Sequence, residues 1–361
     1  MDWKMCRVHQ RLNLKPSQIE EVYALLSEID GVKNSWRITG LLLPQTIERL
    51  THSVIVTSAG ASNRIEGNRL TDAEVEKLYQ NLRIKKFKTR DEEEIAGYLE
   101  CLEQIFDDYT HIPISESTIL QLHRDMLQYS QKDIRHKGGY KFGANRVEAK
   151  DSTGAIVGII FDPTPPYLVK KEMQELLAWY HWAIAEKVKH PLILMANFIF
   201  EYLAIHPFQD GNGRTSRLLT NLMLLQQGYL FTQLVSHERI IESNKIDYYR
   251  ALNKTQATWK TNSEDIAPWL LFFLKLIKTQ SAQALSIMAG DTIDHLLSEK
   301  QLLLWGWIVK RKHEFSRRDV IAEVPLSVRT IESIIKKLVN LKRLEKIGQG
   351  RATRYILRLR A

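Results

Sequence analysis

The stretch HPFQDGNGRTSR, residues 206–217, sets a histidine, an aspartate, two glycines, an asparagine and two arginines within twelve positions. The imidazole of His206, with an ordinary pKa of about 6.5, can be neutral and accept a proton. Asp210 is a hard oxygen ligand of the kind Mg²⁺ takes when substrate phosphates complete its shell. Gly211 and Gly213 let backbone N–H groups approach a ligand closely. A helix starts here, so its free N–H groups and positive dipole end point into the same turn, an anion cradle. Asn212 adds a side-chain donor. Arg214 and Arg217 share a helical face and can both reach one polyphosphate, with Thr215 and Ser216 between them in the nucleotide-binding set. Base, metal ligand, cradle and two cations make a site for phosphoryl or nucleotidyl transfer. The plainer alternative is a helix–turn–helix corner with its arginines in solvent. Burial upstream argues against it, since a buried corner would leave those cations unpaired.

The elements that must hold this motif are helical. HPLILMANFIFEYLAI, residues 190–205, is apolar enough for a buried helix over about 191–205, interrupted only by Asn197 and Glu201. Helical spacing predicts helices over 17–30, stopping at Gly31, and over PQTIERLTHSVIVTSAGASNRIEGN, stopping at Gly67 and Asn68. TDAEVEKLY restarts with a capping box, Thr71 and Glu74. Further helices are expected at about 90–108, 115–128, 169–187, 213–227, 243–259 and 263–289. The glycines, β-branched residues and prolines of 136–166 predict a short hairpin and an extended segment. The expected fold is therefore mainly α with one small β excursion.

Every specified position of HPFQDGNGRTSR matches the signature of the Fic family, and the chain resembles that family over about residues 45–260. Nine constrained positions match by chance on the order of once in 10^10, which sets coincidence aside. The resemblance implies a protein adenylyltransferase that uses ATP and Mg²⁺. His206 would deprotonate a Ser, Thr or Tyr hydroxyl of a target protein, and that oxygen would attack the α-phosphate. Asp210 would hold Mg²⁺ against the α- and β-phosphates, and Asn212 with the backbone at Gly211 and Gly213 would bind phosphate oxygens. Arg214 would neutralise the β-phosphate and Arg217 the γ-phosphate, while Pro207 and Phe208 would be structural. The same resemblance divides the chain into an N-terminal helical region (1–90), a Fic core (91–290) and a tail domain (298–361).

SNRIEG, residues 62–67, resembles the family's inhibitory motif and implies an inhibitory helix at about 46–66. If Gly67 caps that helix, Glu66 faces the negative dipole end and needs a compensating cation. Arg217 is the candidate, with Ser62 one turn earlier able to cap the pair. The alternative is a solvated Glu66 paired with Arg64. In SNKIDYYRAL, residues 243–252, Tyr248 or Tyr249 is expected to line the base pocket, with Tyr249 favoured and the other tyrosine packing. IVGIIFDPTPP, residues 156–166, resembles the family's flap, whose strand edge would pair with an extended target peptide. GGYKFGANRVEA carries Lys141 where many relatives have arginine, which bears on a supporting contact. Other chemistries of the family stay open: transfer of a different nucleotide, or removal of AMP with Glu66 positioning water. A homodimer is compatible with the family, and no residue decides it.

Residues 301–361 hold 15 Lys+Arg against 5 Asp+Glu, while the remainder holds 36 against 37. The tail reads as three helices and a hairpin turning at GQGR, an order that resembles a winged helix. Ser327 would cap the third helix, leaving Arg329 and Thr330 near its exposed start. Lys336, Lys337, Lys342, Arg343, Arg351 and Arg354 supply charge for phosphate contacts. Two partners stay open for it, DNA or a protein. A DNA-binding regulator with the Fic body as nucleotide sensor is the competing reading of the whole chain. His206 argues against it, since a sensor needs no base.

A hydrophobic content of 44% and charged content of 26% over 361 residues fit two or three globular domains. No run is long enough to cross a bilayer, and MDWKMCRVHQRLNL lacks the apolar core of a signal peptide. Cys6 and Cys101 alone imply no disulfide framework or cysteine metal site. A cytoplasmic protein without membrane contact is expected.

Overall fold

Helix signals account for most of the observed elements. The computed structural model describes residues 3–39, 44–130, 132–145, 147–150, 156–290, 299–311, 313–340, 344–348, 350 and 353–357. The chain divides into two compact units, Met1–Ser286 and Ile287–Ala361. The first runs α1 (Arg7–Gln10), α2 (Pro16–Thr39), α3 (Pro44–Ile65), α4 (Asp72–Gln80), α5 (Arg90–Asp108), α6 (Glu116–Met126), β1 (Val147–Lys150), β2 (Ile156–Phe161), α7 (Pro166–Ala185), α8 (Pro191–Ile205), α9 (Asn212–Gln226), α10 (His237–Ser243), α11 (Lys245–Gln256) and α12 (Ala267–Gly290). It is mainly α with one small antiparallel pair, in which Val147 faces Phe161 and Lys150 faces Ile156. Of this flap, the side chains of 156–160 and all of Gly154 lie outside the described residues.

Side-chain caps explain where several helices begin. Thr71 and Glu74 form the expected capping box on α4, and Thr89 and Ser115 accept backbone N–H bonds at the starts of α5 and α6. Two expectations need correction. Helix α2 does not stop at Gly31 but runs on to Thr39. A single glycine costs a helix only about 1 kcal/mol relative to alanine, a penalty that tertiary packing overrides. The helix expected at 243–259 is α11, but the short α10 before it was not expected; it ends at Ser243, where Asn244 breaks the path with φ −122°. Ser236, which caps α10 by accepting the Arg239 N–H, was the overlooked start signal.

Every residue of α8 from Leu192 to Ile205 is buried, which is why it is so apolar. Its two polar members receive the N-terminal segment. Arg11 donates from Nε to Asn197 Oδ1 at 2.6 Å, and Arg7 and Arg11 each reach Glu201 at 2.5 Å. Burial would raise the Glu201 pKa, but the two guanidiniums outweigh it and hold the carboxyl down at about 2. Removing one partner of such a buried pair costs about 3–5 kcal/mol. The helix that carries the histidine is thereby tied down four residues before its end.

The second unit runs α13 (Glu299–Arg311), α14 (Arg317–Glu323), α15 (Val328–Asn340), β3 (Leu344–Ile347) and β4 (Arg354–Leu357). Its core gathers Leu304, Ile308, Phe315, Ile331, Ile334 and Leu338. Strand β3 pairs with β4, Leu344 facing Leu357, and Phe315 adds a bridge to Tyr355. Ser327 accepts the Thr330 N–H at 3.3 Å at the start of α15. Lys342, Arg343 and Arg351 lie outside the described residues. No helix among the described residues is long and apolar enough to cross a membrane.

Candidate active site

His206 closes α8 in the left-handed conformation, φ 54° and ψ 62°. Pro207 disfavours the right-handed helical region for the residue before it, and α8 stops here. Nδ1 lies 3.3 Å from the Leu203 carbonyl, the geometry of an Nδ1–H donor, which leaves Nε2 as the unprotonated nitrogen. Burial first, and the nearby Lys141 charge second, lower the His206 pKa to about 4. The imidazole is therefore a neutral base near pH 7.

The turn from His206 to Gly211 is held from inside. Phe208 is fully buried and stacks face to face on His123 at 3.7 Å between centroids. His123 accepts the Gly138 N–H at Nδ1 (2.9 Å), so its Nε2–H donates to the Asp210 carbonyl at 3.0 Å. Nothing in the spacing of His123 singled it out, because its partner lies 87 residues away. Asn212 differs from expectation. Its side-chain amide takes the Phe208 N–H and donates to the Phe208 carbonyl, both at 2.8 Å, so it clasps the loop instead of facing a ligand. Thr215 and Ser216 also turn inward, their hydroxyls bonded to the Gly211 and Gly213 carbonyls at 2.9 and 2.7 Å. Both side chains are buried.

The remaining positions converge at the N-terminus of α9. Gly211 takes φ 83°, open to glycine at little cost, and a Cβ there would lie 2.7 Å from Met126 Cε. The first intrahelical bond is Thr215 N–H to Gly211 C=O, so the N–H groups of Asn212, Gly213 and Arg214 have no acceptor within the helix. Asp210 accepts the Gly211 N–H at Oδ1 (2.6 Å) and sits 3.4 Å from Arg214 and 3.7 Å from Arg90. Burial would raise its pKa, but Arg214 and that N–H outweigh it and hold it below the ordinary value. Arg214 faces Glu94 at 3.2 Å, yet its buried Nε and Nη1 make no hydrogen bond.

Arg217 is buried and grips the end of α3. It donates from Nε to Ser62 Oγ at 2.8 Å, and from Nη2 to the Ser62 carbonyl at 2.9 Å and Glu66 Oε1 at 2.8 Å. Burial opposes its charge, and Glu66 more than restores it, so its pKa is raised. The other candidate partner, Arg64, bonds Glu242 at 2.6 Å and Asp72 at 2.8 Å. Lys245 donates to the Ile65 carbonyl at 2.6 Å, a second cation at the negative end of α3. Glycine at 213 makes the pairing sterically open, because a Cβ there would lie 2.3 Å from Glu66 Oε1. Behind Arg217, the fully buried Glu238 accepts from Asn221, Ser236 and Tyr98 at 2.6, 2.9 and 3.1 Å. Tyr248 is buried against Trp269 and Phe272, within hydrogen-bonding reach of Arg217, whereas Tyr249 is 38% exposed.

The donor set fits a triphosphate. Among the described residues Arg217 Nη1 is buried without a hydrogen-bond partner, as are two nitrogens of Arg214, and all belong to the helix whose first N–H groups have no acceptor within it. A magnesium ion fits too. Among the described residues no cluster of three or more His, Cys, Asp or Glu can hold a metal, and Asp210 offers one half-exposed carboxylate beside α9. One carboxylate completed by phosphates is the way Mg²⁺ binds nucleotides.

Residues 113–224 match the Fic/DOC family. The chain is 28% identical over 214 residues to a protein adenylyltransferase Fic of Nematostella vectensis, covering 58% of this chain and 44% of that protein. It is 26% identical over 315 residues to one of Culex quinquefasciatus, covering 85% and 53%. The chain thus spans about half the length of these curated relatives. A crystal structure of a Fic family protein from Desulfovibrio desulfuricans is similar in fold, with TM-score 0.60 and 23% identity over 97% of this chain and 98% of that one. A Fic domain protein from Bacteroides thetaiotaomicron gives TM-score 0.58 at 24% identity, over 75% and 97%.

Proposed function

Residues 113–224 carry a domain of the Fic/DOC family, and from that premise we propose that this chain transfers AMP from ATP to a Ser, Thr or Tyr hydroxyl of another protein, with Glu66 as its brake. The observation that carries the reading is the meeting of a neutral His206, the Asp210 carboxylate and the incompletely bonded Arg214 and Arg217 at one helix N-terminus. His206 Nε2 takes the proton of the target hydroxyl as its oxygen bonds to the α-phosphorus. The bond from that phosphorus to the β-bridging oxygen breaks, and pyrophosphate leaves with the electron pair. Arg214 neutralises the β-phosphate and Arg217 the γ-phosphate, with the α9 N–H groups on the oxygens between. A Mg²⁺ held by Asp210 would further neutralise the α- and β-phosphates. Tyr249 is the residue that can meet the base, while Tyr248 packs and supports Arg217. The edge of β2 offers main-chain bonds to an extended target segment.

ATP labelled in the α-phosphate transfers label to protein and ATP labelled in the γ-phosphate does not. Protein labelling from the γ-phosphate instead would replace nucleotidyl by phosphoryl transfer. With the brake removed, labelling from neither would end the transferase reading.

For the second unit we infer duplex DNA as partner. A cleft of 730 Å³ is lined by Arg317, Arg318, Lys346 and Arg354, with Asp319 as its one acid. On α15 the residues Arg329, Ser333 and Lys336 are exposed along one face. Four phosphate contacts imply that binding to random duplex weakens with a log–log salt slope near −3.6, about 100-fold between 50 and 200 mM. A flat slope would leave a protein partner as the reading.

A further inference from the structure

Four consecutive tethers run from one loop to the turn that carries His206. Lys141 is 3% exposed, and its Nζ donates to the Ile205 carbonyl at 3.3 Å. Its backbone N–H donates to the Pro207 carbonyl at 2.9 Å. Asn145 Nδ2 donates to the Phe208 carbonyl at 2.7 Å, and the Gly143 N–H reaches Gln209 Oε1 at 3.3 Å. Lys141 Nζ also donates to Asn145 Oδ1 at 2.8 Å, which closes the loop on itself. Held between these tethers is a non-glycine residue at φ 54°. That conformation persists only where its surroundings over-determine it.

We propose that Lys141 and Asn145 are positioning residues for His206: together they lock its strained backbone so that Nε2 faces the phosphate cradle. The inference rests on the transferase reading above. The two residues touch no substrate in this scheme; they act through the carbonyls on either side of the histidine. Lys141 has a second effect through its charge. His206 is faced by Lys141, which lowers its pKa, and by Glu66 and Asp210, which raise it. Lys141 itself is faced by Asp162, Glu172 and Lys260, and burial lowers its pKa to about 8, so it is still a cation near pH 7. The loop continues directly into β1, so the same segment that clamps the base also carries the flap. A target segment seated on the flap therefore meets a histidine whose position is set from the same loop.

The test compares Lys141→Met, Lys141→Arg and Asn145→Ala in a Glu66→Gly background, with ATP kinetics and imidazole NMR. The His206 resonance is assigned by its loss in His206→Ala. Lys141→Met is expected to lower kcat about 10- to 100-fold with KM for ATP within about twofold, in line with what small misplacements of a base cost. Its His206 resonance should titrate higher, from about 4 toward the ordinary value of about 6.5. Lys141→Arg should recover most of kcat and keep the low titration. Asn145→Ala keeps the charge but removes one of the two side-chain donors to the Phe208 carbonyl and the acceptor of Lys141 Nζ, so kcat falls while the titration stays low. A Lys141→Met protein with parental kcat and an unmoved resonance would overturn the proposal, as would equal loss in Lys141→Met and Lys141→Arg. If Lys141→Met does not fold, parental kcat in Asn145→Ala does the same. Inactivity of the Glu66→Gly parent itself points instead to failure of the transferase reading, and the NMR titration still reports on the clamp.

Discussion

Glu66→Gly raises the rate of AMP transfer about 10- to 100-fold. In the resting protein, Arg217 Nη2 is 2.8 Å from Glu66 Oε1, and the carboxylate occupies the space above Gly213 where a Cβ would not fit. A γ-phosphate seeking Arg217 must displace this charge-assisted bond, worth about 1.5–3 kcal/mol. Each 1.4 kcal/mol is a factor of ten, which gives the stated range. The Glu66 side chain is 35% exposed, so its removal opens no core cavity. It does leave a buried guanidinium without its carboxylate partner, so the free variant should melt earlier than wild type and gain more from ATP. Transfer rates and ATP-dependent melting shifts check this. A variant no faster than wild type, with the same ATP shift, would remove the brake.

His206→Ala, made in the released form, lowers kcat about 10²- to 10⁴-fold, the usual contribution of a general base. KM for ATP should change little, because the phosphates are held by α9 and the arginines. The pH dependence adds a signature. A base must be unprotonated, so activity is present above its pKa and fades as pH falls through it. With the His206 pKa lowered to about 4, the acid limb of the free enzyme lies near 4. An ordinary histidine would fade through about 6.5. Persistent labelling in the alanine variant, or a limb at the ordinary value, would contradict the assigned base.

Much of this site is legible in the sequence. The motif HPFQDGNGRTSR binds its own turn through contacts that are close in sequence, such as Asn212 with Phe208 and Thr215 with Gly211. Helix starts were legible for the same reason, since a cap such as Thr71 acts within three residues. Where the expectation failed, a local rule met a tertiary contact. Propensity alone makes Gly31 a stop, and α2 continues through it. The side chains of Asn212, Thr215 and Ser216 bond the backbone of their own turn.

The amino-acid order by itself determined which chemistry this protein can hold: a base, a carboxylate, glycines and two cations at spacings of one to four residues, where neighbours are set by helix geometry alone. Tertiary structure alone decided which of those groups face inward and who their partners are. Arg217 meets Glu66 across 151 residues, and His123 meets Asp210 across 87. Such pairs depend on how α3, α6 and α9 are rotated and packed against one another. That is a property of the whole buried interface, and no local spacing encodes it.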